Sequence, residues 1–222
     1  MGGPAKGQFK EAATDYGWPV GPMLKKISAV IFDLDGTLTK VPSPWRYVHE
    51  RLGVWESRAC NYFDEWLSGN IAYEEFCQRD TGLWSGCPVD EIYSYLDEIE
   101  LNRHVPAVIE ALTEARIPSI IISSGFKYVA AKIRDEHRWN PLTIFANELT
   151  DGPVVRINVS GDFGSPISKR ALARQSLATI GSSMSATLVV SDTTRDLEQL
   201  SECGYKLHIV EEDDLRRVSD FL

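Results

Sequence analysis

The sequence predicts an α/β fold, a Rossmann-like parallel sheet core with a small α-helical cap inserted into it. Three observations carry this. Short apolar, β-branched runs recur along the chain at 27–32, 119–122, 186–190 and 206–210, the pattern of strands buried on both faces. Helical patterns of about ten residues separate them, as a sheet covered on both sides requires. Between the first two runs, residues 43–103 lack a strand-like run and place their apolar residues at helical spacing.

Residues 1–25 contain five glycines and three prolines up to Leu24 and show no sustained period. They read as an extension, with Tyr16 and Trp18 as possible ordering points. The core is expected from 26–42 and 104–222, and the cap from 43–103. Four of the six tryptophans, Trp45, Trp55, Trp66 and Trp84, fall in the cap. A small helical module needs large side chains to build its own core, and some of these rings are also expected to line a pocket. In the core, helices are expected over 105–115, 128–137, 169–180 and 197–202, the last stopping near Gly204. A charged helix is expected at the C-terminus.

Bulk composition narrows the partners. The 222 residues carry a net charge of −9, which speaks against a nucleic-acid backbone or an anionic membrane as partner. The longest apolar stretches are strand-length, short of the roughly 20 residues that cross a bilayer. Cys60, Cys77, Cys87 and Cys203 are irregularly spaced and read as reduced packing residues of a cytoplasmic protein. No signal-peptide pattern opens the chain. His49, His104, His137 and His208 match no motif and read as structural or surface residues.

The chemistry lies where the strand runs end. The first ends in Asp33-Leu34-Asp35-Gly36-Thr37, the second in Ser123-Ser124-Gly125-Phe126, and the third in Ser191-Asp192, with Asp196 following. Ligands of open parallel sheets bind outside the carboxyl ends of the strands, so these clusters are expected to meet at one edge. Alone, an Asp-x-Asp is as readily a helix cap or an Asx-turn, and serines before a helix are ordinary caps. Together, the carboxylates of Asp33, Asp35, Asp192 and Asp196 would repel without a cation. Hard oxygen donors with no Cys or His favour Mg2+ over zinc. Ser123, Ser124 and Gly125, read as the start of a helix, form a phosphate cradle. Lys169 sits at a helix start, unfavourable with the helix dipole, where it can hold a phosphate and an aspartate together; a surface lysine is the plain alternative. Gly36 supplies a tight turn.

With these residues in order, the chain resembles the haloacid dehalogenase superfamily of phosphatases. Within it, the chain is most similar to phosphoserine phosphatase and its relatives, whose helical cap lies between the first and second motifs. Residues 69–76 (GNIAYEEF) and 146–149 (ANEL), the latter followed by Asp151-Gly152, resemble segments of those enzymes. The resemblance implies a Mg2+-dependent phosphomonoester hydrolase acting on a small phosphorylated metabolite. It gives Asp33 the role of nucleophile and Asp35 that of general acid and base. Ser123, Ser124, Gly125 and Lys169 would hold phosphate, with Asp33, the Asp35 carbonyl and Asp192 on the metal and Asp196 in support. A phosphotransferase, a phosphonate hydrolase and a non-catalytic phosphate binder are the alternatives on the same scaffold. Three departures stand out. Pro42 and Asp80 fall where a glutamate and an arginine would recognise phosphoserine, with Arg79 next to the second; Ser191 replaces a usual glycine; and Arg195 replaces a small polar residue.

Overall fold

A computed structural model describes residues 27–150, 156–159 and 166–222. The expected extension at 1–25 and the Asp151-Gly152 pair lie outside these residues. Strand β1 (Ala29–Phe32) is followed by four helices: α1 (Pro44–Arg51), α2 (Cys60–Leu67), α3 (Tyr73–Gly82) and α4 (Val89–Asp97). A π-helical turn, Trp55–Ala59, joins the first two. Next come α5 (Val105–Ala115), β2 (Ser119–Phe126), α6 (Lys127–Glu136), β3 (Thr143–Thr150), β4 (Arg156–Asn158) and α7 (Pro166–Thr179). The chain ends with β5 (Thr187–Ser191), α8 (Thr194–Gln199), β6 (Tyr205–His208) and a 3-10 helix, Glu212–Phe221.

The sheet order is β4-β3-β2-β1-β5-β6. Every residue of β1 is buried, which explains its uninterrupted apolar run: the strand is central and covered on both faces. Its parallel neighbours β2 and β5 pair Ile31 with Ile120 and with Val189, so all three strands point their carboxyl ends the same way. Under that edge, Phe32 meets Trp139 edge to face at 5.8 Å.

The structure refines the sequence expectation in several places. The sheet is not wholly parallel, because β4 runs antiparallel to β3. Neither of those strands stood out in the sequence: β3 mixes Asn147 and Glu148 into its run, and β4 has three residues. Ser123, Ser124 and Gly125 are not a helix start, because β2 continues through them and α6 begins only at Lys127, with no side-chain cap. Pairing explains this, since Phe126 still pairs with Asn147 of β3 after a shift of register between Ile122 and Phe126. The C-terminal helix is a 3-10 helix with a capping box between Glu211 and Asp214.

The four helices between β1 and α5 build a core from rings. Helix α1 starts on a Ser43 cap with Pro44 in its first turn, a combination that fixes its entry. Trp45 and Trp84 pack at 5.6 Å, and Trp66 stacks on Phe76 at 5.1 Å. Where the chain leaves and re-enters the sheet layer, Thr39 and Leu101 form an antiparallel bridge. None of the helices among the described residues is long and apolar enough to cross a membrane, and the four cysteines are free thiols.

Candidate active site

The ends of β1, β2 and β5 meet as their polar residues suggested. Gly36, with φ +73°, turns the chain sharply after Asp35, and a Cβ there would come 2.2 Å from Asp192 Oδ2. The Asp192 backbone N–H donates to Thr37 Oγ1 at 2.9 Å, fastening the β1 turn to the end of β5. The Asp192 carboxylate can therefore lie against the β1 turn because Gly36 has no side chain to occupy that space.

Lys169, in the first turns of α7, is buried and reaches between two carboxylates. Its Nζ lies 2.6 Å from Asp196 Oδ2 and 3.2 Å from Asp33 Oδ1. Burial alone would lower the lysine's pKa, but the charges of Asp33 and Asp196 outweigh it and hold the ammonium above its usual range. Asp196 is placed by α8, whose N-cap Thr193 accepts from its backbone N–H, and Ser191 Oγ donates to Asp196 Oδ2 at 3.3 Å. The serine that replaces the expected glycine thus helps aim Asp196 at Lys169.

Asp35 lies across the site. Ser123 Oγ donates to Asp35 Oδ2 at 2.8 Å and accepts from the Gly125 N–H at 2.8 Å. A Cβ on Gly125 would stand 2.1 Å from Asp35 Oδ2, so Gly125 is a clearance for this carboxylate. Burial pushes the Asp35 carboxyl up to about 7, against the Ser123 hydrogen bond and the Lys169 charge. Burial also raises Asp33, opposed by Lys169, and raises Asp192. Four carboxylates lie near one ammonium, and their mutual repulsion adds to burial in raising Asp33, Asp35 and Asp192.

Above these groups lies a cavity of about 230 Å³. Asp33, Asp35, Ser124, Lys169, Asp192 and Asp196 line it from the sheet side. Ser123 and Gly125 do not line it; they stand behind Asp35. Trp45, Trp55, Phe63, Trp66, Tyr73 and Phe76 line it from the helical side, together with Pro42, Asp80 and Arg195. Two of the ring residues are tied to the strand end, since Trp45 Nε1 and the Tyr73 hydroxyl donate to the Ser124 carbonyl at 2.9 and 3.2 Å. Asn147 Nδ2 donates to that carbonyl at 2.8 Å and to the Tyr73 oxygen at 2.7 Å.

Arg79 has no place in the cavity lining. Its guanidinium binds Glu65 and Glu75 at 2.7 and 2.6 Å and lies over the Tyr62 ring. Asp80 is the residue that turns inward. Arg195, exposed on α8, borders the cavity with its guanidinium 5.4 Å from the Trp66 ring centre. His49, expected to be structural, is fully buried between Trp84 and Asp80. Sequence reasoning passed over its pairing with Asp80 because no motif links residues so far apart.

The donors suit a hard cation. Asp33 and Asp192 offer carboxylate oxygens, and no trio of His, Cys, Asp or Glu side chains among the described residues is arranged to hold a metal unaided. A cation here would complete its shell with backbone carbonyl and water, as Mg2+ does and structural zinc does not.

Comparison with known proteins agrees with this arrangement. The chain is 24% identical over 188 residues to a phosphoserine phosphatase of Polaromonas sp. (strain JS666 / ATCC BAA-500), covering 82% of this chain and 78% of that protein. Its fold is similar to a solved phospho-aspartyl intermediate analogue of phosphoserine phosphatase, with a TM-score of 0.68, 18% identity, and 86% and 90% of the two chains covered. It is also similar to phosphoserine phosphatase from T. onnurineus in complex with NDSB-201, with a TM-score of 0.60, 16% identity, and 90% and 96% covered. The family model for haloacid dehalogenase-like hydrolases matches residues 30–201, and the chain belongs to that family of hydrolases.

Proposed function

We propose that the protein is a Mg2+-dependent phosphomonoester hydrolase that works through an aspartyl-phosphate on Asp33. The observation that carries this is Lys169 bridging Asp33 and Asp196 at the strand ends, in one cavity with an Asp35 carboxyl raised to about 7. A carboxylate held by an ammonium is a poised nucleophile. A second carboxyl that keeps its proton near neutrality is a general acid.

In the first step an Asp33 oxygen attacks phosphorus and the ester P–O bond breaks. The departing alkoxide takes the proton of Asp35. In the second step Asp35, now a carboxylate, takes a proton from water as that water attacks phosphorus, which frees Asp33 and releases phosphate. Lys169 holds the phosphoryl oxygens beside Asp33 and offsets the charge brought together there. Mg2+, held by the Asp33 and Asp192 carboxylates and the Asp35 backbone carbonyl, would supply the remaining positive charge needed for a phosphate dianion to approach. The rings of α1 to α3 exclude water above the reacting centre. The substrate is a small phosphorylated metabolite, as the cavity volume of about 230 Å³ allows.

The test is phosphate release from p-nitrophenyl phosphate, with Mg2+ and with chelator. Release should need the metal, and Asp33→Asn should lower kcat by more than about a thousandfold. Full activity of Asp33→Asn would overturn the reading.

A further inference from the structure

The cavity carries a second charged feature that phosphate chemistry leaves unused. Asp80 is 1% exposed and lines the cavity from α3. Its Oδ2 lies 3.0 Å from His49 Nε2 without the alignment of a hydrogen bond, and its Oδ1 has no partner. The protonation of His49 follows from its other nitrogen. Trp84 Nε1 stands 3.0 Å from His49 Nδ1, and an indole N–H can only donate. Nδ1 must therefore be the bare acceptor, because a proton there would set two N–H groups against each other. That leaves Nε2 as the N–H that faces Asp80, and no lysine or arginine among the described residues forms an ion pair with Asp80.

Among the described residues His49 is the one ion contact Asp80 has. Its neighbour Arg79 is bound elsewhere, to Glu65 and Glu75. A buried carboxylate with a free oxygen and no cation is costly unless something arrives to pair with it. Burial raises its pKa, against the influence of His49, as expected for a carboxylate short of compensation.

The wall around it is aromatic, and aromatic faces attract cations through the ring quadrupole. Two of its rings already hold one. The Arg46 guanidinium lies 5.0 Å from the Trp55 ring centre, and Arg195 lies 5.4 Å from that of Trp66. Trp45, Phe63, Tyr73 and Phe76 complete the wall. On the sheet side, Lys169 favours an anion. One cavity therefore offers a phosphate site on one wall and, on the other, an aromatic lining that carries the Asp80 carboxylate, with Arg195 at its border.

We propose that the cap wall of this cavity receives an ammonium group, making the preferred substrate the phosphate ester of an amino alcohol that carries no carboxylate. This rests on the phosphomonoesterase reading above and names its leaving group. The Asp80 carboxylate, which lines the cavity, pairs with the ammonium, and the rings enclose its carbon substituents. A carboxylate on the same substrate would meet Asp80 and the ring faces and would be disfavoured.

The test compares kcat/KM of the Mg2+-loaded wild-type protein on phosphoethanolamine and phosphocholine with that on their uncharged counterparts, propyl phosphate and neohexyl phosphate. Phosphoserine and p-nitrophenyl phosphate are run alongside. At least one ammonium ester should exceed its uncharged counterpart by roughly tenfold or more, the scale of a desolvated cation–π contact, and should exceed phosphoserine. Asp80→Asn should collapse that ratio. Should this variant not fold, Trp55→Leu, which alters a half-buried ring, should lower the same ratio. Uncharged esters or phosphoserine turned over as well as the ammonium esters, with p-nitrophenyl phosphate still hydrolysed, would overturn the ammonium assignment and leave the phosphatase reading in place. No hydrolysis of any ester would overturn both.

Discussion

Gly125 faces Asp35 so closely that a single added carbon would stand 2.1 Å from Oδ2 and 2.8 Å from Cγ. The Asp35 carboxyl therefore owes its position to a missing side chain on the neighbouring strand. Gly125→Ala should push Asp35 off its bond to Ser123 and away from the reacting centre. The expected result is a fall in kcat of about a hundredfold or more, since misplacing a catalytic group by an ångström costs that much. Steady-state kinetics on p-nitrophenyl phosphate would check it; an unchanged kcat would contradict the clearance role.

Lys169 is buried at the strand ends and shared by the carboxylates of Asp33 and Asp196. Removing one partner of a buried ion pair costs about 3–5 kcal/mol, because the other charge stays buried. Lys169→Ala should lower stability by an amount of that order in denaturant titration and abolish turnover. A variant that keeps wild-type stability would show that Asp33 and Asp196 take up protons freely in its place.

The raised carboxyls make metal binding depend on pH. Asp33, Asp35 and Asp192 hold protons more tightly folded than unfolded, and for Asp35 the folded value is about 7. Their contribution to stability is whole below the ordinary carboxylate range, near 4, and is lost as pH rises through the folded values. Mg2+ held by the same carboxylates, as proposed, would replace the protons. The rise in Tm on adding Mg2+ should therefore grow between about pH 5 and pH 8. Thermal unfolding with Mg2+ and with chelator would measure it, and a rise that shrinks with pH would reverse the argument.

Much of this site is legible in the sequence because strand ends announce it. The runs before Asp33, Ser123 and Ser191 are buried on both faces, so their composition changes abruptly where the sheet stops. The clearance at Gly125 follows from strand pairing with β3, whose polar Asn147 hides it from a reading by periodicity. The same holds for Asp80. Its partner His49 comes from α1, and only packing shows which of two adjacent residues, Arg79 or Asp80, turns inward. Local pattern fixes an element's type; the direction of one side chain on a helix rimmed by aromatics depends on its neighbours in space.

Tyr73→Phe should be mild in stability, by about 1 kcal/mol or less, since one neutral hydrogen bond is worth that much. Asn147 Nδ2 and Trp45 Nε1 still reach the Ser124 carbonyl. Chemical denaturation would check this; a loss of several kcal/mol would mean that the hydroxyl organises the strand end.

The three groups around the Ser124 carbonyl outnumber what that oxygen can accept. A carbonyl has two lone pairs, yet an indole N–H, an amide N–H and a phenol O–H converge on it, the phenol at the longest distance of 3.2 Å. The Tyr73 hydroxyl makes the longest of the three contacts and is the one that the carbonyl can release. It can swing its proton toward an arriving oxygen while Ser124 stays fully satisfied, so accepting a ligand there leaves no buried group stranded.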